Sequence, residues 1–409
     1  MKICIIGGGL AGLAAAYRLK KRHDIDIYEK KGHLGGCLSS HHIDGYSVEQ
    51  YYHHCFSGDE QLLSLFSELK IIDRLEWLKG TTGYYAGGIL YPLNSPAEIL
   101  RYPLLSITDK ARLALLTLRS KRMDFGTLDE ISAKDYIISE LGPRVYASFF
   151  EPLMRSKFGD HRDTVSAAWL IGRIAIRSNR GFLGERLGYL NGGFQQLINA
   201  LSDRVGRDCT VRLLDPVTMI GRDIDSWRVN GQRYDAVIST LPPHVLRAYG
   251  GPDLHPLPYQ GAACITLGLD DEVTKGIYWL NMKDPSPYGA VITHTNFVPV
   301  KRYGEHIVYL ASYFSGNLPA NADRVMRDHF CRTFAVPETS IHWERMAVEP
   351  LAGPIFITGY QKLIPAYQEK GLFWAGMFSP SNYPERSMEG SIRAGYAVAG
   401  ELERSEGQP

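Results

Sequence analysis

The first thirty residues constrain the fold more than any other part of the chain. Lys2-Ile3-Cys4-Ile5-Ile6 is a short β-branched run of the kind that forms a buried parallel strand. Gly7-Gly8-Gly9-Leu10-Ala11-Gly12 follows without a gap, and Leu13 to Leu19 is small, apolar and helix-prone. Ile25-Asp26-Ile27-Tyr28 reads as a second strand that ends in Glu29. This order has a physical reason. Gly7 permits the tight turn out of the strand, Gly9 lets backbone approach a pyrophosphate, and Gly12 lets the helix pack closely on the sheet. The helix start at Leu10 and Ala11 then turns its N–H groups and dipole toward the phosphates. Glu29 lies 17 residues after Gly12, where a carboxylate accepts hydrogen bonds from both ribose hydroxyls. The segment therefore predicts a dinucleotide site. Glu29 disfavours a 2′-phosphate and with it NADP, whereas FAD and NAD both fit the turn.

The same glycines decide a second question. Met1-Lys2 before the apolar stretch from Ile3 to Tyr17 mimics a secretion signal, but Gly7, Gly8, Gly9 and Gly12 interrupt that stretch. The six cysteines, Cys4, Cys37, Cys55, Cys209, Cys264 and Cys331, have no C-x-x-C spacing. Neither a zinc ribbon nor a thiol redox pair is suggested, and a reduced, cytoplasmic protein is expected. With 45 Lys+Arg against 44 Asp+Glu the formal charge is +1, so no bulk electrostatic force draws the chain to nucleic acid. At about 150 residues per domain, 409 residues predict two domains or one elaborated one.

Later motifs break the tie between FAD and NAD by resemblance. Glu29-Lys30-Lys31-Gly32-His33-Leu34-Gly35-Gly36 resembles the acid plus Gly-Gly extension of the flavin amine oxidase, protoporphyrinogen oxidase and phytoene desaturase superfamily. Gly188 to Phe194, Thr210 to Leu214 with Val217, and Tyr234 to Pro243 resemble the family's internal landmarks in the family's order. Gly371-Leu372-Phe373-Trp374-Ala375-Gly376-Met377 and Ser387 to Gly395 resemble its C-terminal strand, loop and helix. The resemblance implies FAD, with the Gly-Gly turn along the pyrophosphate and ribityl chain. It implies a set of contacts at Gly7, Gly9, Leu10, Ala11, Gly12, Glu29, Lys30, Gly35, Gly36, Cys37, Ser39, Tyr52, Val217, Gly376, Met377, Ser387 and Met388. A helix begun at Met388 would turn its amides toward the flavin pyrimidine edge and stabilise negative charge there.

The implied fold class is α/β: a Rossmann-like FAD-binding domain of the glutathione reductase type, interleaved with a substrate domain of mixed sheet and helices. The FAD-binding domain takes residues 1–75, 188–245 and 345–409. The substrate domain takes 76–187 and 246–344. Residues 76–187 read as mostly helical, with Ser95-Pro96, Thr108-Asp109, Ser132 and Gly142 at helix ends. Ser57-Gly58-Asp59-Glu60 has capping-box spacing. Arg112 to Arg122 is basic and apolar; it reads as a substrate-domain helix with a core face before it reads as a membrane-surface helix. Ser405 to Pro409 reads as a frayed tail.

Three departures from the family bear on chemistry. Cys37 stands where amine oxidases often carry Arg, and Met377 where Asp or Glu is common. Ser387 replaces the aromatic wall of an amine-polarising cage, which weighs against a simple monoamine oxidase. Val48 to Phe56 is bulky and carries imidazoles where the family is commonly small. His53 and His54 are therefore the leading acid/base candidates, with His294 behind them. Trp343, Arg345, Tyr360 and Lys275 are weaker candidates. His41, His42, His53 and His54 do not suggest a metal, because adjacent strand residues point to opposite faces.

The function expected is an FAD-dependent oxidoreductase. It would dehydrogenate or desaturate a C–N or C–C bond of a small-molecule substrate, with hydride passing to flavin N5 and O2 or another oxidant as electron acceptor. Two alternatives stand beside it: a non-redox flavin-dependent nucleotide-sugar mutase resembling UDP-galactopyranose mutase, and an FAD-binding protein without catalysis.

Overall fold

A computed structural model describes residues 1–177 and 185–406; the last three residues of the expected frayed tail lie outside the described residues. The strand Lys2–Ile6 lies inside a six-stranded sheet. It pairs parallel with Asp24–Glu29 on one side and with Ala236–Ser239 on the other. Thr210–Leu213 and Leu372–Trp374 extend the sheet in parallel on the two flanks, and Gln368–Glu369 closes one edge antiparallel. A parallel sheet has to be covered on both faces, and the strand residues divide accordingly. Ile3 and Ile5 are buried with apolar side chains of the helices Leu10–Leu19, Gln195–Gly206 and Met388–Glu406. Cys4 and Ile6 are buried on the opposite side with Trp227, Val229 and Tyr234 of a three-stranded antiparallel sheet.

The second unit is a seven-stranded mixed sheet. Its long strands are Tyr259–Leu269, paired antiparallel with His306–Phe314 on one side and with Ile341–Pro354 on the other. The sheet continues through Ala290–Thr293 and Trp279–Met282, then through Thr82–Ala86 and Ile89–Pro92. Two expectations need adjustment here. The segment 76–187 supplies these last two strands as well as helices. The cut at 345 falls within Ile341–Pro354, whose partner lies in the seven-stranded sheet. Charged residues such as Glu344 and Arg345 hide that strand in the sequence, although Ala347, Glu349 and Ala352 are buried.

Helices pack on this sheet from the other segment. Ser95 and Glu98 form a reciprocal capping box, and Ser132 caps the helix Ala133–Leu141, which ends at Gly142 with φ 91°. The helix Ile107–Arg119 is capped by Ser106, two residues earlier than Thr108-Asp109 suggests. It buries Leu116 but leaves Ile107 and Leu118 about four-fifths exposed, at 80% and 77%. The capping box expected from Ser57 to Glu60 does not form; the Asp59 carboxylate instead accepts a hydrogen bond from the Phe56 N–H at 2.8 Å. No helix of the described residues is long and apolar enough to cross a membrane.

The chain's two ends are joined by close helix packing. A Cβ at Gly395 would stand 2.5 Å from the Ala11 carbonyl oxygen and 2.8 Å from the Ala14 Cβ. The helix Met388–Glu406 therefore rests almost backbone to backbone on Leu10–Leu19. Gly395→Val is expected to force these helices apart and lower stability by about 1–3 kcal/mol, as overpacking typically does. Urea unfolding of the variant against the parent measures it, and an unchanged midpoint would refute the close-packing argument.

Candidate functional site

The turn after Lys2–Ile6 is built by absence of side chains. Gly7 has φ 103°, and a Cβ on Gly12 would lie 2.1 Å from the Gly7 carbonyl oxygen. The second glycine turn, Gly35-Gly36, has φ of 115° and 58° and crosses the first. The Gly35 N–H donates to the Gly8 carbonyl at 2.9 Å, and a Cβ on Gly36 would stand 3.2 Å from the Gly9 Cα. Two backbone turns thus meet with no side chain between them. Beside them Glu29 accepts hydrogen bonds from the Gly8 and Lys31 N–H groups, each at 2.8 Å. These contacts fix the carboxylate at the end of its strand.

A cavity of about 630 Å³ runs from this cradle to the seven-stranded sheet. Of the expected contact residues, Gly7, Gly9, Leu10, Ala11, Glu29, Lys30, Gly35, Gly36, Cys37, Tyr52, Gly376, Met377, Ser387 and Met388 line it. Three do not. Gly12 acts beneath the turn. Ser39 spends its hydroxyl on the Gly36 carbonyl at 2.7 Å and meets the His33 Nδ1 at 3.1 Å. The Val217 side chain is buried in the core on the far side of the six-stranded sheet. The helix Met388–Glu406 starts where the motif places it, and the Ser387 hydroxyl accepts from the Gly390 N–H at 2.9 Å. Burial pushes the Cys37 thiol up to about 11, so it stays protonated at neutral pH.

The imidazoles separate into different roles. His53 and His54 both line the cavity. His53 Nδ1 lies 2.6 Å from the Tyr51 carbonyl oxygen. A carbonyl only accepts, so Nδ1 carries the proton and Nε2 keeps its lone pair. Burial, with the Arg386 charge adding to it, lowers His53 to about 4 against the support of that hydrogen bond. At neutral pH it is an acceptor and no proton donor. His54 Nδ1 lies 3.3 Å from the Tyr278 hydroxyl, among the rings of Phe56, Tyr278 and Trp279. His294 is a correction: it does not line the cavity. It is 1% exposed, meets the Tyr303 hydroxyl at 2.8 Å and packs among Tyr189, Phe297 and Tyr309. Its position after a strand suggested the cavity, but the chain turns there into the aromatic core. Trp343, Arg345, Tyr360 and Lys275 also lie outside the lining. Tyr360 stacks on Tyr383 in the core, and Trp343 donates to Glu305 at 2.9 Å. Among the described residues no three His, Cys, Asp or Glu side chains gather where they would hold a metal.

Sequence reasoning missed a charged group in the cavity wall. Glu385 accepts from Lys157 Nζ at 3.4 Å and from Arg173 Nη1 at 3.3 Å, and Arg386 stands beside it. Burial opposes the charge on Glu385, but Lys157, Arg173 and Arg386 outweigh it and hold its pKa below the ordinary carboxylate value. Burial drives Lys157 well below the usual amine range despite Glu385. A signal was present: Lys157 shares a helical stripe with the buried Phe150, Met154 and Phe158.

A family described as flavin containing amine oxidoreductase matches residues 10–402, and the chain belongs to it. The family is one of flavin-containing oxidoreductases. The coproporphyrinogen III oxidase of Mycobacterium tuberculosis is 24% identical over 227 residues, covering 49% of this chain and 50% of that protein. The chain thus spans about half the length of the curated relatives it first matches. Among solved structures, reduced UDP-galactopyranose mutase is similar at TM-score 0.75 and 19% identity, over 99% of this chain and 96% of that one. Cyclohexylamine oxidase from Brevibacterium oxydans IH-35A is similar at TM-score 0.70 and 16% identity, over 98% and 99%. The residues present fit FAD: Gly9 and Gly36 leave a side-chain-free strip, and the cavity extends from Glu29 to the aromatic floor.

The buried imidazoles set a pH dependence of stability. Burial, the largest cause in each, lowers His41 to about 4, His53 to about 4 and His294 to about 3, while the unfolded chain titrates near 6.5. The stability tied to neutral imidazole is present above pH 6.5 and lost as pH falls from there through 4 and toward 3. Tm is expected to drop across that window, and His294→Phe to make the drop shallower. Thermal melts at pH 7.5, 6, 5 and 4 test this; an unchanged slope in the variant contradicts it.

Proposed function

We propose that this flavin-containing amine oxidoreductase dehydrogenates a C–N or C–C bond of a small organic substrate, with a porphyrinogen as the first candidate. The observation that carries the reading is one continuous cavity, lined at one end by both glycine turns and at the other by the inner face of the seven-stranded sheet. FAD, when bound, supplies the hydride acceptor at N5. The chain's own residues hold, orient and shield. Glu29, already fixed by two backbone N–H groups, has lone pairs left for the ribose hydroxyls. Ser387 and Met388 put a helix N-terminus on the cavity, which favours electron-rich groups there. Tyr52 meets Trp279 edge to face at 4.6 Å and forms a rigid apolar wall. His53 Nε2 is the acceptor in that wall, suited to orient an N–H of the substrate and to take its proton transiently. The similarity to coproporphyrinogen III oxidase supports the porphyrinogen, and the missing aromatic at Ser387 weighs against a simple amine.

A second reading, nucleotide-sugar mutase chemistry, draws on the fold likeness to UDP-galactopyranose mutase and on the cations in the cavity. The two part on redox need. Anaerobic mixing of the oxidised holoenzyme with coproporphyrinogen III is expected to bleach the flavin absorbance without added reductant. No bleaching, together with turnover of UDP-galactopyranose only after dithionite reduction, would replace the dehydrogenase by the mutase. Glu29→Gln is expected to weaken FAD binding by roughly 10- to 100-fold, the worth of charge-assisted hydrogen bonds. Equilibrium dialysis of FAD against the apoprotein measures it, and unchanged affinity would remove Glu29 from the site.

A further inference from the structure

We infer that the cavity contains a built subsite for a carboxylate on an apolar body, with Arg386 as the anchor and Arg173 and Lys157 beside it. The inference rests on the reading of this cavity as the substrate chamber. Among the charged side chains that line its wall, Lys157, Arg173 and Arg386 gather around one carboxylate, Glu385. Lys157 and Arg173 both use the same oxygen of that carboxylate, at 3.4 and 3.3 Å. Arg386 gains no such bond. Its Nη1 is buried with no hydrogen-bond partner among the described residues. A buried guanidinium N–H without an acceptor is costly, and an anion that enters the site relieves the cost.

The surroundings define the anion. A Cβ on Gly353 would stand 2.5 Å from the Arg386 Nε and 2.6 Å from its Cζ, so the guanidinium is seated directly on strand backbone. The guanidinium carbon lies 5.9 Å from the centre of the Tyr313 ring, and Lys157 Nζ lies 4.6 Å from the Trp169 ring centre. A guanidinium presents a planar fork of donors that matches the two oxygens of a carboxylate. Beyond it the lining turns apolar, with Ala262, Ala263, Cys264, Ala311 and Trp279. An acid head and a hydrophobic body fit that sequence of surfaces. A second recess of about 400 Å³ shares Ile176 and Glu385 with the main cavity and is also lined by Lys121 and Phe125.

The test uses the oxidised holoenzyme and needs no turnover. 1-Pyrenebutyrate and 1-pyrenebutanol share one apolar body and differ in the head group; fluorescence anisotropy measures the binding of each. The acid is expected to bind about 10- to 100-fold more tightly than the alcohol, the range of a charge-assisted hydrogen-bond pair. Arg386→Gln is expected to bring that ratio close to one, and Arg386→Lys to keep part of it. Equal binding of the two probes by the parent protein, or binding of neither, overturns the proposal without recourse to any variant. A ratio that survives both Arg386→Gln and Arg173→Gln overturns the anchor. UDP that binds more tightly than pyrenebutyrate and displaces it overturns the carboxylate in favour of a diphosphate. A flavin that no porphyrinogen bleaches counts against the dehydrogenase reading alone, because these titrations involve no electron transfer.

Discussion

The side-chain-free crossing of the two glycine turns is the constraint on which the rest depends. Gly9 and Gly36 face each other across a gap that one added carbon would close to 3.2 Å. Anything larger at either place would fill the strip that the cavity needs. The same requirement recurs beneath and behind the turns. Gly12 lets the first helix start against the Gly7 carbonyl, and Gly395 lets the last helix lie on the first. Because the last helix carries Ser387 and Met388 at its start, close packing of the two ends also sets one wall of the site. Position of the cofactor and stability of the core thus rest on the same contacts.

The opposite end of the cavity follows different physics. There the walls are aromatic and apolar, and the charges are few, buried and mutually dependent. Lys157, Arg173 and Arg386 come from two helices and the loop before a third, and Glu385 is the carboxylate they share. Each alone would be an expensive burial. Together they form a positive recess in a chain whose formal charge is only +1. Net charge therefore says little about this protein's ligands, since the local surplus is balanced by acids elsewhere. Lowered imidazole pKa values have the same origin: the cavity and the core near it are poor media for a cation that lacks a partner.

Much of the nucleotide-binding half was legible in the residues themselves. The strand Lys2–Ile6, the helix from Leu10, the strand ending in Glu29 and the helix from Met388 occur where local pattern and glycine spacing put them. These features are local, and their reasons lie within a few residues. Ile341–Pro354 was less legible, because its outward charges mask a strand whose pairing partner lies about eighty residues earlier. His294 misled for a related reason: a polar residue after a strand looks available until the aromatic cluster around it is assembled.

By itself the sequence determined the α/β nucleotide-binding scaffold, the acid at Glu29 and the paired glycine turns, since each is a short-range consequence of backbone geometry. It also placed His53 and His54 on a segment beside the cavity. Only the tertiary structure decided that His53 is held as a hydrogen-bond acceptor, that His294 belongs to the core, and that Lys157, Arg173, Glu385 and Arg386 share one recess. The physical reason is separation along the chain. Burial and electrostatics are sums over neighbours, and Glu385 meets Lys157 and Arg173 across more than two hundred residues of chain.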